Sequence, residues 1–316
     1  MPYANDVRAA MTTNPTEKRC CARAELTAML LNGGSVSFRG EGRYAASISA
    51  EQAAVARYAG ELVQNHTDLW YTLRMKRSAR LGGQVRYQLS FDEDQSAELL
   101  SWLDLLDPGA PFGLRQSPSQ ALTRRECCRR AYLGGAFFVC GWVSVPEKAY
   151  ELEFAAADEH QAEVLIKTLK RCGVNAKSAV RKNQSVVYVK DGDQVATVLG
   201  LIGAHGALLE LENVRVLKGV RNAVNRQVNC DARNLESSLG AARRQIEDIL
   251  YIRDHGGLDA LPKPLRQIAE LRLEHEEATL VDLGAMLEPP IGKSGVNNRL
   301  RRLGEIARGL REKDSI

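Results

Sequence analysis

The chain lacks the segments that mark membrane and exported proteins. Its longest uncharged stretches, such as residues 194–209, fall short of the about 20 apolar residues that cross a bilayer and are rich in glycine. The first residues hold no basic segment followed by an apolar core, so no export signal is expected. We therefore expect a cytoplasmic protein without a membrane partner.

The sequence also lacks the cysteine and histidine spacings that are typical of metal sites. No C-x-x-C motif and no closely spaced pair of histidines occurs among the seven cysteines and five histidines. Four cysteines form two adjacent pairs, Cys20-Cys21 and Cys127-Cys128, and adjacent cysteines bridge poorly because the geometry strains the peptide between them. The sequence therefore predicts buried apolar thiols, with no metal site and no cofactor.

Charge is present but unevenly placed. The 316 residues, 44% hydrophobic and 26% charged, suit two ordinary globular domains. The net charge of +4 equals the balance of residues 291–316 alone, where seven basic residues face three acidic ones. A basic excess confined to one terminal segment favours contact with phosphates.

That segment reads as the second helix of a helix-turn-helix. Thr279 and Asp282 form a capping-box pattern, and apolar residues recur at helical spacing on both sides of a turn at residues 288–292, which is longer than usual. We therefore expect two short amphipathic helices across a turn. An ordinary helical hairpin with a solvated basic face is the alternative. The residues expected to contact DNA are Lys293, Ser294, Asn297, Asn298, Arg299, Arg301 and Arg302.

An internal duplication precedes this segment. A shift of 107 residues sets Cys20-Cys21 on Cys127-Cys128 and Gly34 on Gly141. Each copy predicts the element order αββαββα, with the first strand of the second copy at residues 143–145, and the two halves span residues 20–202. The predicted fold class is α+β, with a pseudo-twofold duplicated domain followed by an all-α helix-turn-helix domain.

The duplicated part resembles the LAGLIDADG homing endonucleases. In that family two central helices pack together, and each ends in an aspartate that holds a catalytic metal. The corresponding residues in this chain are Gly33 and Cys140. Neither can hold a hard cation as a carboxylate does, so the resemblance implies a degenerate nuclease domain, no catalytic residue and no enzyme activity.

The resemblance also places two basic strand pairs on the side that faces DNA in those nucleases. Residues 70–90 carry five basic residues and no acid, and residues 176–190 carry four and no acid. Solvated faces of antiparallel strands are an equally good interpretation. The expected secondary contacts are Arg74, Lys76, Arg77, Lys177, Arg181 and Lys182. Arg80 and Arg86 are the other two basic residues of the first pair of strands.

A helical connector is expected between the two parts. It carries an apolar stripe from Val214 to Val228 and then a helix over residues 234–252, which ends at Gly256-Gly257. The next helix, over residues 265–273, opens the helix-turn-helix part. The expected domains are residues 1–212, the connector at 213–257, and the DNA-binding domain at 258–316.

Over essentially its full length the chain resembles the WhiA family of bacterial regulators. The segments that carry the resemblance begin at Asn225, Ala241, Gly257 and Pro289, the last reading Pro-Pro-Ile-Gly-Lys-Ser-Gly-Val-Asn-Asn-Arg-Leu. Gly292 and Asn298 stand where that family more usually has serine and histidine. The resemblance implies a sequence-specific transcriptional regulator linked to cell division, chromosome segregation and sporulation. It would be associated with the nucleoid, with double-stranded DNA and an RNA polymerase sigma factor as partners. The alternative is an interaction or ligand-sensing protein built on the degenerate nuclease scaffold, with DNA binding secondary.

Overall fold

The computed structural model describes residues 2–40, 42–78 and 84–314. The chain forms two compact units, Met1–Leu217 and Lys218–Ile316. Arg80 lies outside the described residues. Within the described part, no helix is long and apolar enough to cross a membrane.

The first unit consists of two halves with the same order of elements. The first half holds α1 (Pro2–Met11), α2 (Arg19–Gly33), β1 (Gly34–Gly40), β2 (Arg43–Ala50), α3 (Ala53–His66), β3 (Thr72–Ser78), β4 (Gln84–Ser90) and α4 (Glu93–Trp102). The second half holds α5 (Glu126–Cys140), β5 (Gly141–Val143), β6 (Leu152–Ala155), α6 (Glu159–Arg171), β7 (Lys177–Arg181), β8 (Gln184–Val189) and α7 (Gly192–Leu201). The expected αββαββα duplication is confirmed, with α1 added before it.

Each half forms a four-stranded antiparallel sheet, in the order β1-β2-β4-β3 or β5-β6-β8-β7. Side chains alternate between the two faces of a strand. Ile48 and Leu89 point into the core of the first half, and Phe154 and Val187 into that of the second. The face of each sheet opposite this core is called the open face below.

The two halves meet where α2 packs on α5. A Cβ atom at Gly135 would lie 2.2 Å from the backbone oxygen of Glu25, and one at Gly33 would lie 2.5 Å from the Cβ atom of Val139. Glycines therefore let the two helix backbones approach closely.

A buried carboxyl group lies at this seam. The hydroxyl of Tyr58 donates a hydrogen bond to Glu25 Oε1 at 3.1 Å. Burial raises the pKa of Glu25 to about 8, although the Tyr58 hydrogen bond acts in the opposite direction. Glu25 is therefore held in its neutral form near pH 7.

The second unit is helical. The long helix α8 (His205–His255) begins in the first unit and ends in the second, and α9 (Lys263–Glu274), α10 (Leu280–Ala285) and α11 (Lys293–Asp314) follow. The core of the second unit joins Ile249 and Ile252 of α8 to apolar residues of the other three helices. The end of α8 is thus part of the helix-turn-helix core.

Three expected boundaries are wrong. The helix expected to begin at residue 234 begins at His205, because no residue between the two positions interrupts the helix. The strand expected at residues 143–145 is Gly141–Val143, since pairing with β6 sets its register. The last helix is 22 residues long rather than short, because its apolar stripe continues to Ala307. The apolar stripe expected from Val214 to Val228 is present on α8, and Leu217, Val220, Val224 and Val228 are exposed.

Candidate nucleic-acid interface

The helix-turn-helix begins with a complete capping box. The backbone N–H of Asp282 donates to Thr279 Oγ1 at 3.3 Å, and the backbone N–H of Thr279 donates to Asp282 Oδ2 at 3.0 Å. The hydroxyl of Thr279 also donates to Asp282, and these hydrogen bonds lower the pKa of Asp282. The cap fixes the start of α10, as its sequence pattern predicts.

The turn between α10 and α11 packs against a glycine. Seven residues, 286–292, separate the two helices, and the backbone N–H of Ile291 donates to the carbonyl of Gly284 at 3.0 Å. A Cβ atom at Gly284 would lie 2.3 Å from the carbonyl oxygen of Ile291 and 3.2 Å from a methyl group of Val296. Only a residue without a side chain allows this approach.

Helix α11 is divided into a buried and an exposed face. Val296, Leu300 and Leu303 are buried against α8, α9 and α10. Six of the seven expected DNA contacts are exposed in the first turns of the helix, with hydrogen-bonding side chains. The exposed members of the expected set are Lys293, Ser294, Asn297, Asn298, Arg301 and Arg302.

The remaining member differs. Arg299 is only partly exposed, and its guanidinium reaches toward the carbonyl of Pro264 at 3.5 Å. It lies on the side of α11 that faces α9, so it is less available for base contact than its neighbours.

A residue that the sequence did not single out, Arg272, stabilises the loop between α9 and α10. The Arg272 side chain is buried, and its guanidinium donates to the carbonyls of Ala278 at 2.7 Å and Glu276 at 3.3 Å. Burial lowers the pKa of Arg272. An arginine among the apolar positions of α9 is the signal that could have found it, because a buried charge needs partners.

On the first sheet, three basic side chains share the open face. Pairing sets Arg74 beside Gln88, and Lys76 beside Arg86. Gln88 in turn donates to the hydroxyl of Ser47, on the same face. Arg77 is exposed but pairs with Val85 in the adjacent row, so alternation directs it to the opposite face of β3.

The open face of the second sheet is less basic than the sequence suggests. Arg181 is bonded to Glu153 and lies 3.8 Å from Glu151, and Lys190 lies 3.2 Å from Glu151. Lys177 is exposed, and Lys182 has positive φ in the turn between β7 and β8. Glu153 of β6 and Glu151 just before it thus offset the charge of Arg181 in β7 and of Lys190 just after β8.

The two degenerate catalytic positions lie together at the ends of α2 and α5. Gly33 is the last residue of α2 and Cys140 the last of α5. The Cys140 thiol donates to the carbonyl of Ala136 at 3.1 Å, and burial raises its pKa to about 12. The Arg8 side chain of α1 is buried beside them and donates to the carbonyl of Gly141. A cation, 3.7 Å from the Glu51 carboxylate, therefore lies beside the two positions that hold carboxylates in the nucleases this part resembles.

Three domain families match the chain in sequence. The WhiA N-terminal LAGLIDADG-like domain matches residues 19–106, the WhiA LAGLIDADG-like domain matches residues 129–221, and the WhiA C-terminal HTH domain matches residues 224–307. The matches follow the two halves of the first unit and the second unit in order.

Full-length relatives agree with these matches. The probable cell division protein WhiA of Alkaliphilus metalliredigens is 40% identical over 97% of this chain and 98% of that protein. The protein of the same name from Desulfitobacterium hafniense is 41% identical over 99% of this chain and 97% of that protein. The crystal structure of full-length DUF199/WhiA from Thermatoga maritima has a TM-score of 0.59 and 21% identity, and it covers 96% of this chain and 97% of that chain. This last likeness concerns the fold.

Proposed function

This chain belongs to the WhiA family, and on that premise we propose that it is a sequence-specific DNA-binding transcriptional regulator without nuclease activity. One observation carries the proposal. The first turns of α11 present amide, hydroxyl and guanidinium groups to solvent while Val296 and Leu300 fix the helix on its own core. Amide and guanidinium side chains pair bidentately with adenine and guanine in a major groove.

Loss of one amide is expected to reduce discrimination between DNA sequences. Asn297→Ala should reduce the ratio of target affinity to random-duplex affinity. The corresponding loss of binding free-energy preference is about 1 to 3 kcal/mol, because a bidentate base contact is worth that much. The target comes from selection of bound duplexes, and competition binding measures the ratio. Lys313→Ala, in the last turn of the same helix, is the control and should leave the ratio unchanged. An unchanged ratio in Asn297→Ala would remove this residue from the interface.

The first sheet is proposed to add phosphate contacts. The support is its open face, where Arg74 and Lys76 lie beside Gln88 and Arg86. Glu51 offsets Arg86 at 3.8 Å, and glutamates offset Arg181 and Lys190 of the second half. Each phosphate contact changes the slope of log affinity against log salt by about 0.9. The double variant Arg74→Ala, Lys76→Ala should therefore flatten the slope of the full-length protein by up to about 1.8.

Arg77 supplies a matched control for that measurement. It lies on the same strand but on the opposite face, so Arg77→Ala should leave the slope unchanged. Equal slopes for all three proteins would mean that the first unit binds no DNA. In that case the interaction or ligand-sensing role, with DNA binding secondary, would be favoured for the first unit.

No cleavage of duplex DNA is expected with magnesium or manganese. Gly33 and Cys140 supply no carboxylate at the ends of α2 and α5, and Arg8 lies beside them. Gly33→Asp with Cys140→Asp should also fail, because Val139 occupies the space that a side chain at residue 33 needs. Gel assays of nicking test both proteins. Metal-dependent nicking by the homogeneous wild-type protein would contradict the proposal.

The cellular role follows from the relatives. Their name, cell division protein, supports a regulator that couples gene expression to division and chromosome segregation, and to sporulation in organisms that sporulate. Binding to DNA would keep the protein on the nucleoid, in the cytoplasm. A sigma factor of RNA polymerase is the proposed protein partner. Mapping of the chromosomal sites that the protein binds, with and without induction of its expression, tests the regulatory role.

A further inference from the structure

The duplication brings four thiols together at the seam of the first unit. Cys20 and Cys21 lie in the first turn of α2, and Cys127 and Cys128 in the first turn of α5. The sulfur atoms are 4.0 Å apart in the first pair and 3.9 Å apart in the second. All four sulfur atoms lie within 4.8 Å of one another. Residues that are 107 positions apart in sequence therefore form one cluster.

The distances define the shape of this cluster. A square of four sulfurs with edges of about 4 Å would have diagonals of about 5.6 Å, which exceeds the largest separation of 4.8 Å. The four atoms are therefore arranged in the manner of a tetrahedron. The centre of a regular tetrahedron with edges of 4.8 Å lies about 2.9 Å from each corner, and a contraction of each separation to about 3.8 Å brings that distance to the ~2.3 Å of a zinc–thiolate bond.

We infer that Cys20, Cys21, Cys127 and Cys128 bind one zinc ion as a structural Cys₄ site that ties the two halves of the first unit together. Four thiolates in a tetrahedron are the ligand set and geometry that zinc prefers. Binding displaces the thiol protons, which pass to solvent, and no oxidant or reductant is needed. The expectation of four independent apolar thiols rests on spacing within each copy, and it misses a site whose ligands are divided between the copies.

The cluster lies at the starts of two helices, where the positive end of a helix stabilises an anion. Burial raises the pKa of the Cys21 and Cys128 thiols, so an ion must displace their protons. Cys20 and Cys127 are half-buried, and Cys21 and Cys127 line a cleft of about 500 Å³, so an ion has a path from solvent.

The metal content of the full-length protein tests the site. The protein is purified with a thiol reductant, supplied with zinc and freed of loosely held metal, and zinc is then measured by mass spectrometry. About one zinc per chain is expected. Cobalt in place of zinc should give the strong visible absorption of a tetrahedral ion together with sulfur-to-cobalt charge transfer. Removal of zinc should lower the thermal transition of the first unit, because the ion binds only the folded arrangement.

Variants locate the bound ion. Cys20→Ser and Cys128→Ser should each weaken zinc binding by more than about 100-fold in competition with a chromophoric chelator, which exceeds the loss caused by an outer partner. Cys172→Ser changes a half-buried cysteine outside the cluster and should bind zinc as the wild type does. If the serine variants fail to fold, the zinc content and cobalt spectrum of the wild type still decide the question.

Four results would overturn the inference. They are a zinc content far below one per chain after reconstitution, an octahedral cobalt spectrum, zinc retained by both serine variants, and a disulfide between the two cysteine pairs in the reduced preparation. Iron held by the same four sulfurs, visible as an intense red colour, would overturn the assignment to zinc.

Discussion

Replacement of Gly284 by alanine is expected to destabilise the second unit and to weaken target binding by at least about 10-fold. The new methyl group would lie 2.3 Å from the carbonyl oxygen of Ile291, so the turn must move away from α10. Overpacking of this kind costs about 1 to 3 kcal/mol, which exceeds the ~0.5–1 kcal/mol that alanine gains over glycine inside a helix. Thermal unfolding and DNA titration of the full-length protein measure both effects.

Gly309 offers a control of opposite sign. It lies in α11, and a Cβ atom there would meet nothing within 4 Å. Gly309→Ala should therefore raise the unfolding temperature slightly and leave target affinity unchanged. If the alanine variants at 284 and 309 behave alike, the close approach of α10 to the turn does not hold the recognition helix in place.

Replacement of Glu25 by glutamine is expected to stabilise the first unit, increasingly so as pH rises. The folded protein keeps the Glu25 proton up to a pKa of about 8, whereas the unfolded chain releases it near the ordinary value. Below about pH 4 both states hold the proton and no cost arises. Between there and pH 8 the unfolded state loses its proton first, so the wild type loses stability over this window. Glutamine cannot ionise, and the gain at pH 8 is on the order of 3–5 kcal/mol.

The difference between variant and wild type is the quantity to measure. Denaturant unfolding at pH 5, 6, 7 and 8 should show a stabilisation that grows with pH in Glu25→Gln. Glu98→Gln, which changes an exposed carboxylate of the same unit, corrects for general effects of charge. A stabilisation that stays constant with pH would mean that Glu25 is ionised in the folded protein.

The sequence predicts the architecture because the architecture depends on local patterns. Alternation along strands, the 3.6-residue period of helices and the capping box at Thr279 are all readable within a few residues. The repeat of Cys20-Cys21 at Cys127-Cys128 aligns the two halves, so each element predicted in one half supports the same element in the other. Predicted elements accordingly agree with the structure to within a few residues in both halves.

What the sequence could not give depends on contacts between distant residues. The cysteine cluster joins α2 to α5, and the packing of Gly284 depends on where the chain returns seven residues later. The direction of Arg77 follows from strand alternation, but only once its pairing with Val85 is known. Glu153, which offsets Arg181, belongs to β6, a strand whose neighbours are set by the sheet order β5-β6-β8-β7.

The contact between Gly33 and Val139 also constrains the order in which mutations can accumulate. A side chain at residue 33 is excluded while valine stands at 139, since their Cβ atoms would be 2.5 Å apart. Val139 must become smaller before a side chain at residue 33 can be tolerated, and that first step opens a cavity. The two positions are therefore coupled, because each substitution made alone disturbs the packing of α2 on α5, whereas the pair can be accommodated together.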